Sequence, residues 1–162
     1  MEINFTPWRL DYIVSDKKEE GCIFCRAFEG APSFNNLVVR RTANTAVLLN
    51  KFPYNNGHLL VVPKSHVDSL TLLSSEEANE MTGALAECER ALRSVYNPQG
   101  LNLGMNLGQA AGAGIVDHIH YHMLPRWQGD TNFVTVLCNF RAVPEALEDT
   151  YRKIKEFFDR EG

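Results

Sequence analysis

The rhythm of polar and apolar positions changes several times along this chain, and each change marks an element. Leu37-Val38-Val39-Arg40-Arg41 and Thr45-Ala46-Val47-Leu48-Leu49 flank Thr42-Ala43-Asn44, which predicts a β-hairpin with a short loop. Pro53-Tyr54-Asn55-Asn56-Gly57 is a turn by composition, and His58-Leu59-Leu60-Val61-Val62-Pro63 returns as a third strand. From Ser74 the period lengthens to that of a helix. Ser74 and Glu77 make a capping box, and Ala78, Met81, Leu85, Cys88, Leu92 and Val95 recur on one face until Asn97-Pro98-Gln99-Gly100 stops the helix. Leu101, Leu103 and Met105 alternate as a strand, and residues 108–114 form a loop of small residues. Ile119, Tyr121 and Met123 then alternate with histidines in a fifth strand that ends at Pro125. Pro144, at a first helical position, precedes Leu147, Tyr151, Ile154 and Phe158, an amphipathic C-terminal helix over 143–160.

Strands in hairpin order with helices inserted or appended describe an α+β protein: an antiparallel sheet of about five strands, a long helix and a C-terminal helix. No repeat, low-complexity tract or linker divides the chain, so residues 1–162 read as a single domain with an irregular, charged arm at 1–21. A chain of 162 residues buries about two-thirds of its unfolded surface, enough for a real core. The net charge of -4 argues against a broad nucleic-acid footprint, though not against a small basic pocket for one nucleotide's phosphates. No stretch has the length and apolarity of a membrane span, and the first residues lack the basic-then-apolar order of a secretory signal. A cytoplasmic protein without a membrane partner is the expectation.

Chemistry concentrates in Asp117-His118-Ile119-His120-Tyr121-His122-Met123, which holds three of the five histidines. An extended backbone turns alternate side chains to the same face, so His118, His120 and His122 share one face at spacings of roughly 6–7 Å. Three adjacent imidazoles are costly to bury unless each has a polar task. Metal ligation, nucleophilic attack and proton transfer suit them.

The cysteines divide by context. Cys88 lies on the helix face with Leu85 and Leu92, and Cys138 follows Val134, Val136 and Leu137, so both read as core thiols. Cys22 and Cys25 form a C-x-x-C pair, half of a tetrahedral zinc site if two histidines complete it. His58, His66, His118, His120 and His122 are the candidates. His58, among apolar strand residues, reads as a satisfied structural histidine. A redox pair wants a strand before the motif, whereas Lys17-Lys18-Glu19-Glu20-Gly21 precedes it here. Two free thiols on a surface turn are the plain alternative.

Over roughly residues 20–135 the motifs resemble the histidine triad (HIT) superfamily of nucleotide hydrolases and transferases. The resemblance rests on Asn50 before Lys51-Phe52-Pro53, on Gly57-His58-Leu59-Leu60-Val61-Val62-Pro63-Lys64-Ser65-His66, on Asn106-Leu107-Gly108 with the glycine loop, and on the triad. It continues through Leu124-Pro125-Arg126-Trp127, and the tail from Pro125 to Phe133 resembles the diadenosine tetraphosphate phosphorylase or hydrolase branch. The resemblance implies a HIT-like α+β fold, usually a homodimer, and a structural zinc held by Cys22, Cys25, His66 and His118. It implies His120 as the nucleophile that forms a nucleotidyl-histidine, and His122 as a partner to the phosphate. Asn50 corresponds to a ribose contact, and Asn106, Gly112 and Gly114 to the phosphate side. Trp127, an aromatic beside the site, either stacks an adenine or packs in the core.

The implied reaction is cleavage of a dinucleoside polyphosphate by phosphorolysis or hydrolysis. A nucleoside phosphoramidase or nucleoside-monophosphate hydrolase, or a nucleotide-binding protein with vestigial activity, are the alternatives. Many members carry Gln or a hydroxyl residue just before the triad, where this chain has Gly114, Ile115 and Val116. Backbone N–H groups of the loop would replace that side chain, leaving space for inorganic phosphate as acceptor. Lys64 and Arg126 are further candidates for the phosphate charge, against solvated surface roles, and Asp117 for a hydrogen bond to a triad ring, against a turn role.

Overall fold

Thr45–Leu49 and Leu59–Pro63 are buried along their whole lengths, because the sheet they form is covered on both faces. That is why these segments read as unbroken apolar runs and not as the polar alternation of a half-exposed sheet. The computed structural model describes residues 21–131 and 143–161. Cys138 and residues 1–20 of the expected arm lie outside them.

Five strands make one antiparallel sheet in the order β1-β2-β3-β5-β4: β1 Val38–Arg41, β2 Thr45–Leu49, β3 Leu59–Pro63, β4 Gly100–Met105 and β5 Tyr121–Arg126. One face packs against α2 (Ser75–Tyr96) and α3 (Leu147–Glu161) through Val47, Leu49, Leu59, Val61, Met81, Leu92 and Ile154. On the other face α1, the short helix Ile23–Arg26, presses Phe24 against Val38, Leu48, Leu60 and Val62. None of the helices among the described residues is long and apolar enough to cross a membrane.

The expected capping box is present: Ser74 Oγ accepts the Glu77 N–H, and Asn97 ends α2 in the left-handed region at φ 44°. Cys88 is fully buried, as its helix position predicted. Three expectations need correction. In the first turn of α2 it is Glu77 that turns inward, while Ala78 is exposed. Helix α3 starts at Leu147, so Pro144 lies three residues before it, not at its first position. The fifth strand begins only at Tyr121, leaving His118 in a bend ahead of it. The cause is local. Pro63, at the end of β3, has no N–H to extend the ladder, and its carbonyl accepts from the His118 ring instead.

Among the described residues, Gly57 combines a left-handed backbone with a close approach that a side chain would block. It sits at φ +73°, and a Cβ there would lie 2.9 Å from Tyr96 Cε2 and 3.0 Å from Leu92 Cδ2. Its close approach delivers the next residue, His58, to the face of the sheet that carries the triad.

Candidate active site and metal centre

The triad occupies the α1 face of the sheet, at the end where β5 begins. His118 and His120 are buried, with Phe24 of α1 lying 5.4 Å and 4.7 Å from their ring centres. The centres of His120 and His122 are 4.8 Å apart, closer than extended backbone spacing alone would set them. The side chains converge because each is tied to a different neighbour.

Those ties fix which nitrogen of each ring carries a proton. His120 Nδ1 donates to the His118 carbonyl at 3.0 Å, so its Nε2 keeps a free lone pair. The backbone N–H of Tyr54 donates to His58 Nδ1 at 3.1 Å. His58 Nε2 therefore bears the proton and donates it to His122 Nδ1 at 2.9 Å. His122 is left with an Nε2–H, a donor. The pair offers a nucleophilic nitrogen beside a hydrogen-bond donor.

Electrostatics keeps these rings neutral. Burial, with the neighbouring His122 and His120, pushes His58 down to about 3. His122 falls to about 4, through burial and then His120. His120 is also lowered, by burial, with its bond to the His118 carbonyl opposing the shift.

His58 is the member that sequence reading missed. It is satisfied, as expected of a structural histidine, but its partner is the triad itself. The signal was in the register: Leu60 pairs with His122, so His58, two residues earlier on the same face, is the diagonal neighbour. Asn50 supports it. The Asn50 Oδ1 accepts the Phe52 N–H at 2.9 Å and its Nδ2 approaches His58 Nδ1 at 3.2 Å, so the amide expected at a ribose is engaged inside the protein.

The other candidate residues are held as follows. Trp127 lies past the far end of β5 from the triad, edge-on to Tyr96 with centres 6.2 Å apart. Arg126 is pinned by two 2.7 Å bonds to Asp130 and a 2.6 Å bond to Asn102, and so is not available to a phosphate at His120. Lys64 and Asp117 are exposed. Asn106 Nδ2 donates to the Gly112 carbonyl across the loop at 3.4 Å, and Gly112 sits at φ +89°. A side chain at Gly114 would meet open space.

The metal candidates come together as a set. One donor atom from each of Cys22, Cys25, His66 and His118 lies within 4.8 Å of the others. His118 Nε2 donates to the Pro63 carbonyl at 2.9 Å, which leaves its Nδ1 lone pair 3.4 Å from Cys22 Sγ. His66 Nδ1 is 3.3 Å from Cys25 Sγ. Burial first, and then the nearby Cys22, raise the Cys25 thiol, a cost that a cation between the two sulfurs would reverse. Two thiols and two imidazoles, one ring already oriented by a carbonyl, are the donor set of a four-coordinate zinc site.

A family model described as HIT domain matches residues 32–129. The chain is similar to AP-4-A phosphorylase of Mycobacterium tuberculosis, with 35% identity over 155 residues that span 91% of this chain and 80% of that protein. Adenosine 5'-monophosphoramidase of Schizosaccharomyces pombe is 30% identical over 65% of this chain and 74% of its own length. The crystal structure of a Zn-bound histidine triad family protein from Mycobacterium smegmatis superposes with a TM-score of 0.68 at 29% identity, covering 86% of this chain and 94% of that one.

Proposed function

The chain belongs to the HIT family, and from that premise we propose that it cleaves a dinucleoside polyphosphate, diadenosine tetraphosphate for preference, through a nucleotidyl-histidine on His120. One observation carries the reading: the rings of His120 and His122 lie 4.8 Å apart, centre to centre, and the partners on their Nδ1 atoms leave Nε2 as a lone pair on the first and as an N–H on the second. A neutral imidazole is a competent nucleophile at neutral pH. In the first step a bond forms between His120 Nε2 and phosphorus while the bond from phosphorus to the leaving polyphosphate oxygen breaks. In the second, oxygen of water or of inorganic phosphate attacks and the N–P bond breaks. The His122 Nε2–H and loop amides near Gly114 donate to the phosphoryl oxygens as charge gathers there.

The similarity to AP-4-A phosphorylase supports this substrate class. Zinc on Cys22, Cys25, His66 and His118 would be structural, since four protein ligands leave no open position for substrate. The similarity to a phosphoramidase favours a second reading, hydrolysis of an adenosine phosphoramidate at the same nucleophile.

Product analysis with diadenosine tetraphosphate, with and without inorganic phosphate, tests the proposal. ADP with ATP, formed only when phosphate is present, is the expected result. AMP with ATP in both buffers would replace phosphorolysis by hydrolysis. No turnover, alongside rapid cleavage of an adenosine phosphoramidate, would favour the second reading.

A further inference from the structure

We propose that Glu77 is a positioning residue for the metal centre, holding the loop that carries His66 against the first turn of α2. The proposal rests on the zinc reading above and concerns what keeps one ligand in place. Glu77 is only 9% exposed, and a carboxylate at a buried helix position must be fully partnered. Its two oxygens serve two different serines. Oε2 accepts the N–H of Ser74 at 3.2 Å and its Oγ–H at 3.0 Å, which completes the helix cap. Oε1 accepts the N–H of Ser65 at 3.2 Å and its Oγ–H at 2.5 Å. A cap needs only the first pair.

Ser65 immediately precedes His66, the one exposed member of the four-residue donor set. A ligand on the surface gets little restraint from packing, so its backbone must be fixed on either side. Glu77 fixes one flank through Ser65. On the other, the Val67 carbonyl accepts the N–H of Ile119, next to His118. The His66 backbone is thus tied to α2 before it and to the triad segment after it. Glu77 touches no metal ligand; it acts through Ser65.

Competition for zinc between the full-length protein and a chromophoric chelator separates this role from helix capping. Removing support for a metal ligand commonly weakens metal binding, so Glu77→Gln should lose about tenfold in zinc affinity and Ser65→Ala about threefold, the latter keeping its backbone bond. Ser74→Ala removes the cap hydroxyl but leaves the Ser65 pair intact. It should lower Tm and keep zinc affinity within about twofold of the parent. Parent-like affinity in Ser65→Ala, where the parent binds zinc, would overturn the clamp alone. Equal loss in Ser74→Ala and Ser65→Ala would do the same, reducing Glu77 to a cap. A parent that takes up no zinc would overturn the metal reading and the clamp with it.

Discussion

The His118 carbonyl accepts the Nδ1–H of His120 at 3.0 Å, so one residue faces two chemistries. Its ring nitrogen Nδ1 points at Cys22, while its backbone oxygen selects the tautomer of the next histidine on that face. The candidate metal site and the proposed nucleophile are therefore adjacent in structure as well as in sequence.

Metal stoichiometry follows from the donor set. Purified protein should carry about one zinc per chain, because Cys2His2 sets close to four-coordinate structural sites. Elemental analysis should fall sharply in Cys22→Ala and Cys25→Ala. Less than about half an equivalent in the parent, with both thiols free to react, would count against the site.

His58 orients His122 and never meets substrate in this reading. His58→Leu removes the donor behind His122 Nδ1 and frees that ring to turn. Misplacing a catalytic group commonly costs about a hundredfold, so kcat should fall by roughly that factor with KM little changed. Steady-state kinetics reads the split. A raised KM at parent kcat would assign His58 to substrate binding instead.

Stability should fall on the acid side. His58 and His122 titrate near 3 and 4 in the folded chain, against about 6.5 when unfolded. Between these values the unfolded state binds more protons, so unfolding free energy rises with pH. The loss on acidification begins near pH 6.5 and continues toward pH 3 or 4, on the order of 1 kcal/mol per pH unit for each such histidine. Thermal unfolding should show Tm dropping between about pH 6.5 and pH 5, with a shallower slope in His58→Leu. Equal slopes in the two proteins would refute the assignment.

Gly57→Ala tests the turn that presents His58. The added methyl meets Tyr96 and Leu92 at about 3 Å and forces a left-handed backbone on alanine. Overpacking of this kind costs about 1–3 kcal/mol, which denaturant unfolding would register as a lower midpoint. A midpoint equal to the parent's would mean that α2 yields easily at Tyr96.

What could be read from the chain beforehand depended on locality. The alternation of His118, His120 and His122 with Ile119, Tyr121 and Met123 is a local pattern, and so are the C-x-x-C pair and the Ser74 cap. Each is visible within a few residues. The role of His58 depends on the register that sets Leu60 opposite His122, and pairing register is a tertiary fact. Glu77 was legible as a cap, but its inward turn was not: counting apolar residues at helical spacing favoured Ala78, whereas a buried carboxylate is tolerated because Ser65 comes to it from the loop after β3. Arg126 looked available because Asp130 and Asn102, which hold it, come from a turn and a neighbouring strand. The C-terminal helix was visible by its period, but Pro144 marked the approach to it and not its start.

The central claim, a covalent nucleotide on His120, is tested most directly by mixing the protein with diadenosine tetraphosphate, quenching with base and mapping the adduct by mass spectrometry. One adenylyl group should appear on the peptide that contains His120 and be absent from His120→Ala, which should also lose at least about a thousandfold in turnover. An adduct on another residue, or His120→Ala turning over near the parent rate, would contradict it.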